Sequence, residues 1–221
     1  MITKVKKEND GSIIFDNKSK IFKVDINPDY LFNDGGRSHY FKGKTGDCVV
    51  RAITISLSYN SLGTPKNYKE IYNDLWNFQK RYVLNNNNLL SESLKNRNSL
   101  TVRNGVSSSI VHLYLQNLGY DFYAAPITNE TLSIENNLIL MFKKHTSAII
   151  DGVINDDYNP FLDHRLNFKK SYGYYIKNKE IRISEISKYL DKINSKNNPY
   201  KHLFQNYIYK LNLELEKLFN N

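Results

Sequence analysis

The chain has 221 residues, 40% hydrophobic and 24% charged, which suits one globular domain with appendages and a substantial core. Its formal net charge of +9, from 31 basic against 22 acidic residues, has no run of five or six cations, so an acidic partner is allowed but none is specified. A single cysteine excludes an internal disulfide, no window approaches about 18 apolar residues, and Met1 to Asp10 lacks the apolar stretch of a signal peptide, so a cytoplasmic protein without membrane contact is expected.

In chain order, Ser12 to Phe15 and Ile21 to Ile26 are short apolar runs separated by Asp16-Asn17-Lys18-Ser19, which predicts a β-hairpin or two edge strands. Asn27 to Lys44, with Pro28, Gly35, Gly36 and Gly43 among aromatics and charges, reads as an irregular segment of the kind that walls a cleft. Thr45-Gly46-Asp47-Cys48-Val49-Val50-Arg51-Ala52-Ile53 then puts the cysteine where a turn gives way to a helix. Gly46 tolerates positive φ, Asp47 is a capping residue type, and Val49, Val50, Ala52, Ile53 and Leu57 supply a helical apolar face from about Cys48 to Tyr59. In a first turn, unpaired N–H groups and the positive end of the helix dipole favour thiolate over thiol. Taken alone, Cys48 reads first as a small buried hydrophobe and only second as a nucleophile.

After a break at Gly63-Thr64-Pro65, the spacing of Tyr68, Ile71, Tyr72, Leu75, Trp76 and Phe78 to Tyr82 predicts a second helix with an aromatic core stripe. Asn85 to Arg103 is polar and aperiodic and reads as a long excursion. Val106 to Leu118 is a predicted helix ended by Gly119, and Tyr120 to Ala125 and Leu138 to Phe142 are predicted strands with a short helical or irregular piece between them.

In His145-Thr-Ser-Ala-Ile-Ile-Asp-Gly-Val-Ile-Asn-Asp-Asp-Tyr-Asn-Pro160, Asp151-Gly152 between β-branched runs signals a two-residue type I′ hairpin. That register opposes Ile150 to Val153, Ser147 to Asp156 and His145 to Tyr158, and brings all four outer residues to one face. Asp156 is then the diagonal neighbour of His145, within carboxylate-to-imidazole reach, while Asp157 and Asn159 point the other way. A histidine steadied by a carboxylate is what a cysteine nucleophile requires, because the imidazole takes the thiol proton and returns it to the leaving group. Farther on, Ile181 to Ile193 and Pro199 to Phe219 are predicted helices, the second with Leu203, Phe204, Tyr207, Ile208, Leu211, Leu215 and Leu218 on one stripe. That stripe needs a cover: the core, a protein partner or a second copy of the chain.

The phrases GDCVVRAI and HTSAIIDGVINDDYNP resemble the papain-like cysteine peptidase superfamily in its compact form, akin to the bacteriocin-processing peptidases and to small phage and bacterial proteins of that superfamily. The likeness covers roughly Gly43 to Tyr175. It implies an α+β fold with the cysteine helix packed on an antiparallel sheet, Cys48 as nucleophile, His145 as general base and acid, and Asp156 as orienting residue. On this division, residues 1–40 are an N-terminal hairpin and lead-in, 41–180 the papain-like core, and 181–221 a helical tail. Papain-like peptidases carry a Gln shortly before the nucleophile as an oxyanion donor, and Tyr40 to Thr45 contains none. Lys42, Lys44, Thr45 or a backbone N–H is left to substitute; losing one such donor costs about 100- to 1000-fold in rate.

The first expectation is thus a thiol hydrolase acting on a peptide, isopeptide or amide through a Cys48 thioester, with no metal or cofactor. The alternative is a catalytically idle papain-like module serving as a structural or interaction protein, for example in a phage particle. Nucleic-acid binding has only the net charge and the tyrosines behind it, with no zinc-ligand spacing and no recognition motif, and is not expected.

Overall fold

The computed structural model describes residues 21–43, 46–62, 65–85, 102–162, 170–195 and 204–220. The predicted first strand Ser12 to Phe15, the excursion from 86 to 101 and Pro199 lie outside the described residues. The fold is α+β. Strands β1 (Phe22–Lys23), β2 (Tyr30–Phe32), β3 (Tyr120–Tyr123), β4 (Asn137–Phe142), β5 (His145–Ile150), β6 (Val153–Asp156) and β7 (Lys170–Lys177) form one sheet in the order β1-β7-β4-β5-β6-β2, with β3 also on β7. From β1 through β7, β4 and β5 to β6 the pairing is antiparallel, and β2 runs parallel to β6.

Central position explains the sequence of β4. Leu138, Leu140 and Phe142 join one apolar cluster with Ile149 and Ile154, and the alternate Ile139 and Met141 join another with Ala148 and Tyr175. With both faces covered, the strand is a nearly continuous apolar run, and alternation is lost. Helices α1 (Cys48–Tyr59), α2 (Tyr68–Asn85) and α3 (Ser108–Asn117) bury Val50, Ile53, Leu75, Ile110 and Leu115 in that second cluster. The short α4 (Asn129–Ile134) is opened by a reciprocal capping box between Thr128 and Thr131.

The β5–β6 hairpin forms as its turn sequence requires. Asp151 and Gly152 take φ of 49° and 77°, the double positive φ of a type I′ turn, and Ile150, Ile149 and Ala148 oppose Val153, Ile154 and Asn155. The reading of 27–44 as wholly irregular is corrected: it contains β2 and a 3-10 turn, Arg37–His39. Backbone pairing decides this, since Ile154 N–H donates to Asp29 at 2.8 Å and Asn33 N–H to Asp156 at 2.8 Å. A three-residue strand is too short to leave a period in the sequence.

The described residues divide into two compact units, one ending at Ile176 and holding the sheet and α1 to α4, the other made of Leu62 and the residues from Lys177 onward. The second unit pairs α5 (Lys179–Asn194) with α6 (Gln205–Asn220). Ile186, Leu190 and Leu211 form its core, and Tyr207, Ile208, Leu215 and Leu218 pack on them, so α5 covers the predicted stripe from Tyr207 onward, while Phe204 is exposed and Leu203 lies outside the described residues. Arg182 grips Glu214 with two hydrogen bonds, at 2.7 and 3.2 Å. Among the described residues no helix is long and apolar enough to cross a membrane.

Candidate active site

Cys48 is half-buried and opens α1, preceded by Asp47. Asp47, expected to cap the helix, makes no capping bond. Its carboxylate is turned inward, accepting from Arg37 Nε at 2.8 Å, from Arg51 Nη1 at 3.1 Å and from the Tyr68 hydroxyl. Charged donors to a buried carboxylate outweigh a neutral backbone cap. The first-turn N–H groups, including that of Cys48 itself, are thereby left without a carboxylate of their own helix.

Arg51, one turn along α1, is 3% exposed and joins three carboxylates. Besides Asp47 it reaches Asp157 Oδ2 at 2.7 Å and Asp156 Oδ1 at 3.4 Å. Burial opposes its charge, but Asp157, Asp156 and Asp47 outweigh burial and hold the guanidinium above its ordinary pKa.

His145 begins β5 and is buried. Its Nε2–H donates to Asp156 Oδ2 at 2.6 Å, and the Tyr158 hydroxyl lies 3.2 Å from Nδ1, with the two rings 5.0 Å apart. Cys48 lies close enough to His145 to favour its protonated form. Nε2 is committed to Asp156, and Nδ1, the other ring nitrogen, is within reach of the Tyr158 hydroxyl. Burial works against the imidazolium, but the hydrogen bonds of Asp156 and then Cys48, with their charges, outweigh it and push His145 up to about 9.

Asp156 is saturated with donors. The Ser147 hydroxyl, Arg51 and the Asp157 N–H, at 2.8 Å, join His145 on it. Burial alone would raise its pKa; the His145 bond and charge, Ser147 and Arg51 together hold it below the usual carboxylate value. Asp157 behaves oppositely: burial, aided by the charge of Asp156, pushes it up to about 6 despite Arg51.

The structure therefore gathers Cys48, His145 and Asp156 in one place and sends Asp157 to Arg51 on α1. Ser147 and Tyr158, placed on the His145 face by the hairpin register, are there. Asn159 is elsewhere, accepting from the Phe161 N–H at 3.0 Å. Of the residues named for the oxyanion, Lys42 is exposed, and Lys44 and Thr45 lie outside the described residues. Sequence reasoning missed Arg37, Arg51 and Tyr68. Arg51 left a signal, as a cation inside an apolar run and four residues after Asp47, the spacing of a helical ion pair; Arg37 and Tyr68 left none. Among the described residues no group of three or more His, Cys, Asp or Glu is arranged to hold a metal ion.

Two outcomes follow. Arg51→Met leaves three carboxylates without their common cation and should lower unfolding free energy by about 3–5 kcal/mol in urea titrations, with partial recovery when Asp157→Asn is added; a neutral effect would contradict the cluster. His145, raised in the fold from 6.5 to about 9, contributes stability that is fully present below pH 6.5 and lost as pH rises through about 9. Denaturation midpoints should fall across that window and the fall should flatten in His145→Gln; the same slope in both proteins would count against it. Comparison of the chain with family models, with curated proteins and with solved structures finds no match, so the site itself carries the functional reading.

Proposed function

We propose that the protein is a papain-like thiol hydrolase that cleaves a peptide, isopeptide or amide bond through a Cys48 thioester. One observation carries the reading: a buried imidazole is hydrogen-bonded to a carboxylate and lies beside the chain's only cysteine, which helps to hold its proton. With His145 raised to about 9, the resting site at neutral pH holds an imidazolium beside Cys48.

In the first half-reaction the Cys48 thiolate attacks the acyl carbon and the carbonyl oxygen becomes an oxyanion. His145 passes its Nδ1 proton to the leaving nitrogen as the C–N bond breaks, giving the thioester. Neutral His145 then takes a proton from water as the water oxygen attacks the thioester, and collapse expels the Cys48 thiolate and restores the imidazolium. Asp156 stays ionised throughout, fixing the ring through Nε2 and stabilising its charge. The N–H of Cys48 is one oxyanion donor, and Lys42, Lys44, Thr45 or another backbone N–H is left to stand in for the missing Gln. The absence of that Gln is also what favours the second reading, an idle papain-like module with a structural or interaction role.

Iodoacetamide should alkylate Cys48 at pH 7 faster than a free thiol of ordinary reactivity, and His145→Ala should slow it. Asp156→Asn should cut hydrolysis of an activated ester by roughly 100- to 10,000-fold, and Asp157→Asn by much less, because only Asp156 touches the imidazole. Sluggish labelling indifferent to His145, together with a Cys48→Ala protein that keeps its biological activity, would leave the idle module as the better account.

A further inference from the structure

Strand β2 ends the sheet, and among the described residues no strand pairs with its outer side. Its backbone groups alternate. Asp29 O accepts from the Ile154 N–H and Asn33 N–H donates to Asp156 O, each at 2.8 Å, so both point to β6. In extended backbone the N–H and C=O of Leu31 turn the same way, and those of Tyr30 and Phe32 turn outward. Four hydrogen-bonding groups on two residues are thus presented along an open edge. The strand that carries them is held in place. The Tyr30 hydroxyl donates to Asp156 O at 3.3 Å, its ring packs on the cluster of Leu140 and Ile154, and Asn33 Nδ2 donates to Asn155 Oδ1 at 3.2 Å.

The side chains along this edge are apolar and open. Leu31 is 56% exposed and Phe32 is 65% exposed, on opposite faces of the strand. Phe32 stands opposite Asp156 in register, one strand spacing or about 4.8 Å from it, so the edge adjoins the residues that surround the cysteine. The charge is one-sided. From Val24 to Gly36 the chain has Asp25, Asp29 and Asp34 and no cation. Asp25 pairs with Lys23 at 3.1 Å, whereas Asp29 is exposed and among the described residues bonds no cation. Burial opposes the charge of Asp34, but the N–H groups of Ser38 and Gly36 and the charge of Arg37 outweigh it and hold the carboxyl below its ordinary pKa. Nearer the cysteine, Arg37, Arg51 and the His145 imidazolium are matched by Asp47, Asp156 and Asp157. A carboxylate therefore stands at each end of β2.

We infer that the outer edge of β2 takes up an extended segment of the polypeptide substrate. Its backbone pairs with Tyr30 and Phe32, its apolar side chains lie on Leu31 and Phe32, and basic side chains at its ends meet Asp29 and Asp34. An extended backbone supplies donors and acceptors at the spacing those four groups require, and basic ends are drawn to the two carboxylates. That the segment belongs to a substrate rests on the thiol-hydrolase reading; the edge pairing itself is read by binding, without turnover. The full-length Cys48→Ala protein is titrated with a labelled, end-capped peptide of sequence Lys-Val-Thr-Val-Lys and with its counterpart carrying glutamate in place of lysine. Amide exchange at Tyr30, Leu31 and Phe32 is followed in the same samples.

The lysine peptide should bind saturably and slow exchange at Tyr30 and Phe32 by about tenfold or more, while Leu31, already turned to β6, keeps its rate. Phe32→Pro removes an outward N–H, leaves the bonds to β6 in place and should weaken binding by about tenfold or more. Phe32→Ala keeps that N–H and should weaken it less, and Asp29→Asn should flatten the fall of affinity with salt. No binding of the lysine peptide, equal binding of the two peptides, or binding that leaves exchange at Tyr30 and Phe32 unchanged would overturn the proposal. Protection of the same two amides by raised protein concentration alone would overturn it in favour of pairing between two copies of the chain. Fast alkylation of wild-type Cys48 alongside a failed titration would sink the docking edge alone; slow alkylation alongside a successful titration would sink the hydrolase reading and leave a peptide-binding edge.

Discussion

The buried guanidinium of Arg51 is the constraint on which the site depends. Asp47, Asp156 and Asp157 converge within 3.4 Å of it, and Asp47 and Asp156 are almost fully removed from solvent. Withdrawing each charge from water costs several kcal/mol, so the carboxylates are tolerable together only with a cation between them. At about 4 Å two unit charges near a protein surface interact by about 4 kcal/mol, enough to decide which carboxyl keeps its charge. Arg51, with His145 and Ser147, keeps Asp156 ionised; Asp157, with burial against it, sits near the edge of ionisation.

That cation also ties two distant parts of the chain. Arg51 follows Cys48 by one helical turn, so it stands on the same side of α1, and its other carboxylates belong to the end of β6. The distance from the cysteine to the hairpin is thereby set by ion pairs rather than by apolar packing alone. Apolar contacts tolerate slippage, whereas a forked guanidinium between fixed carboxylates permits few arrangements. Arg37, held by Asp47 and the Gly43 carbonyl, extends the same network into the segment leading to the cysteine.

Much of this was legible in the sequence, and for identifiable reasons. Asp151-Gly152 fixes a turn type, a turn type fixes register, and register places His145, Ser147, Asp156 and Tyr158 together and Asp157 apart; each step is local and has period two. The start of α1 at Cys48 was legible from the Gly46-Asp47 turn and the apolar face. The role of Asp47 was not, because the capping preference of an aspartate is overridden when tertiary structure brings Arg37, Arg51 and Tyr68 to it. Neither Arg37 nor Tyr68 is near it in sequence-periodic terms, so no pattern announces the meeting. β2 escaped for a related reason, since its three residues take their conformation from β6.

The central claim is that His145 is a charged partner of Cys48, held so by Asp156. Its most direct test is the 15N chemical shift of the His145 imidazole followed through a pH titration of the folded protein. The account predicts an imidazolium at pH 7 that loses its proton near pH 9, and a midpoint that drops when Cys48 is replaced by Ala or Asp156 by Asn. A midpoint close to 6.5 that neither substitution moves would contradict it.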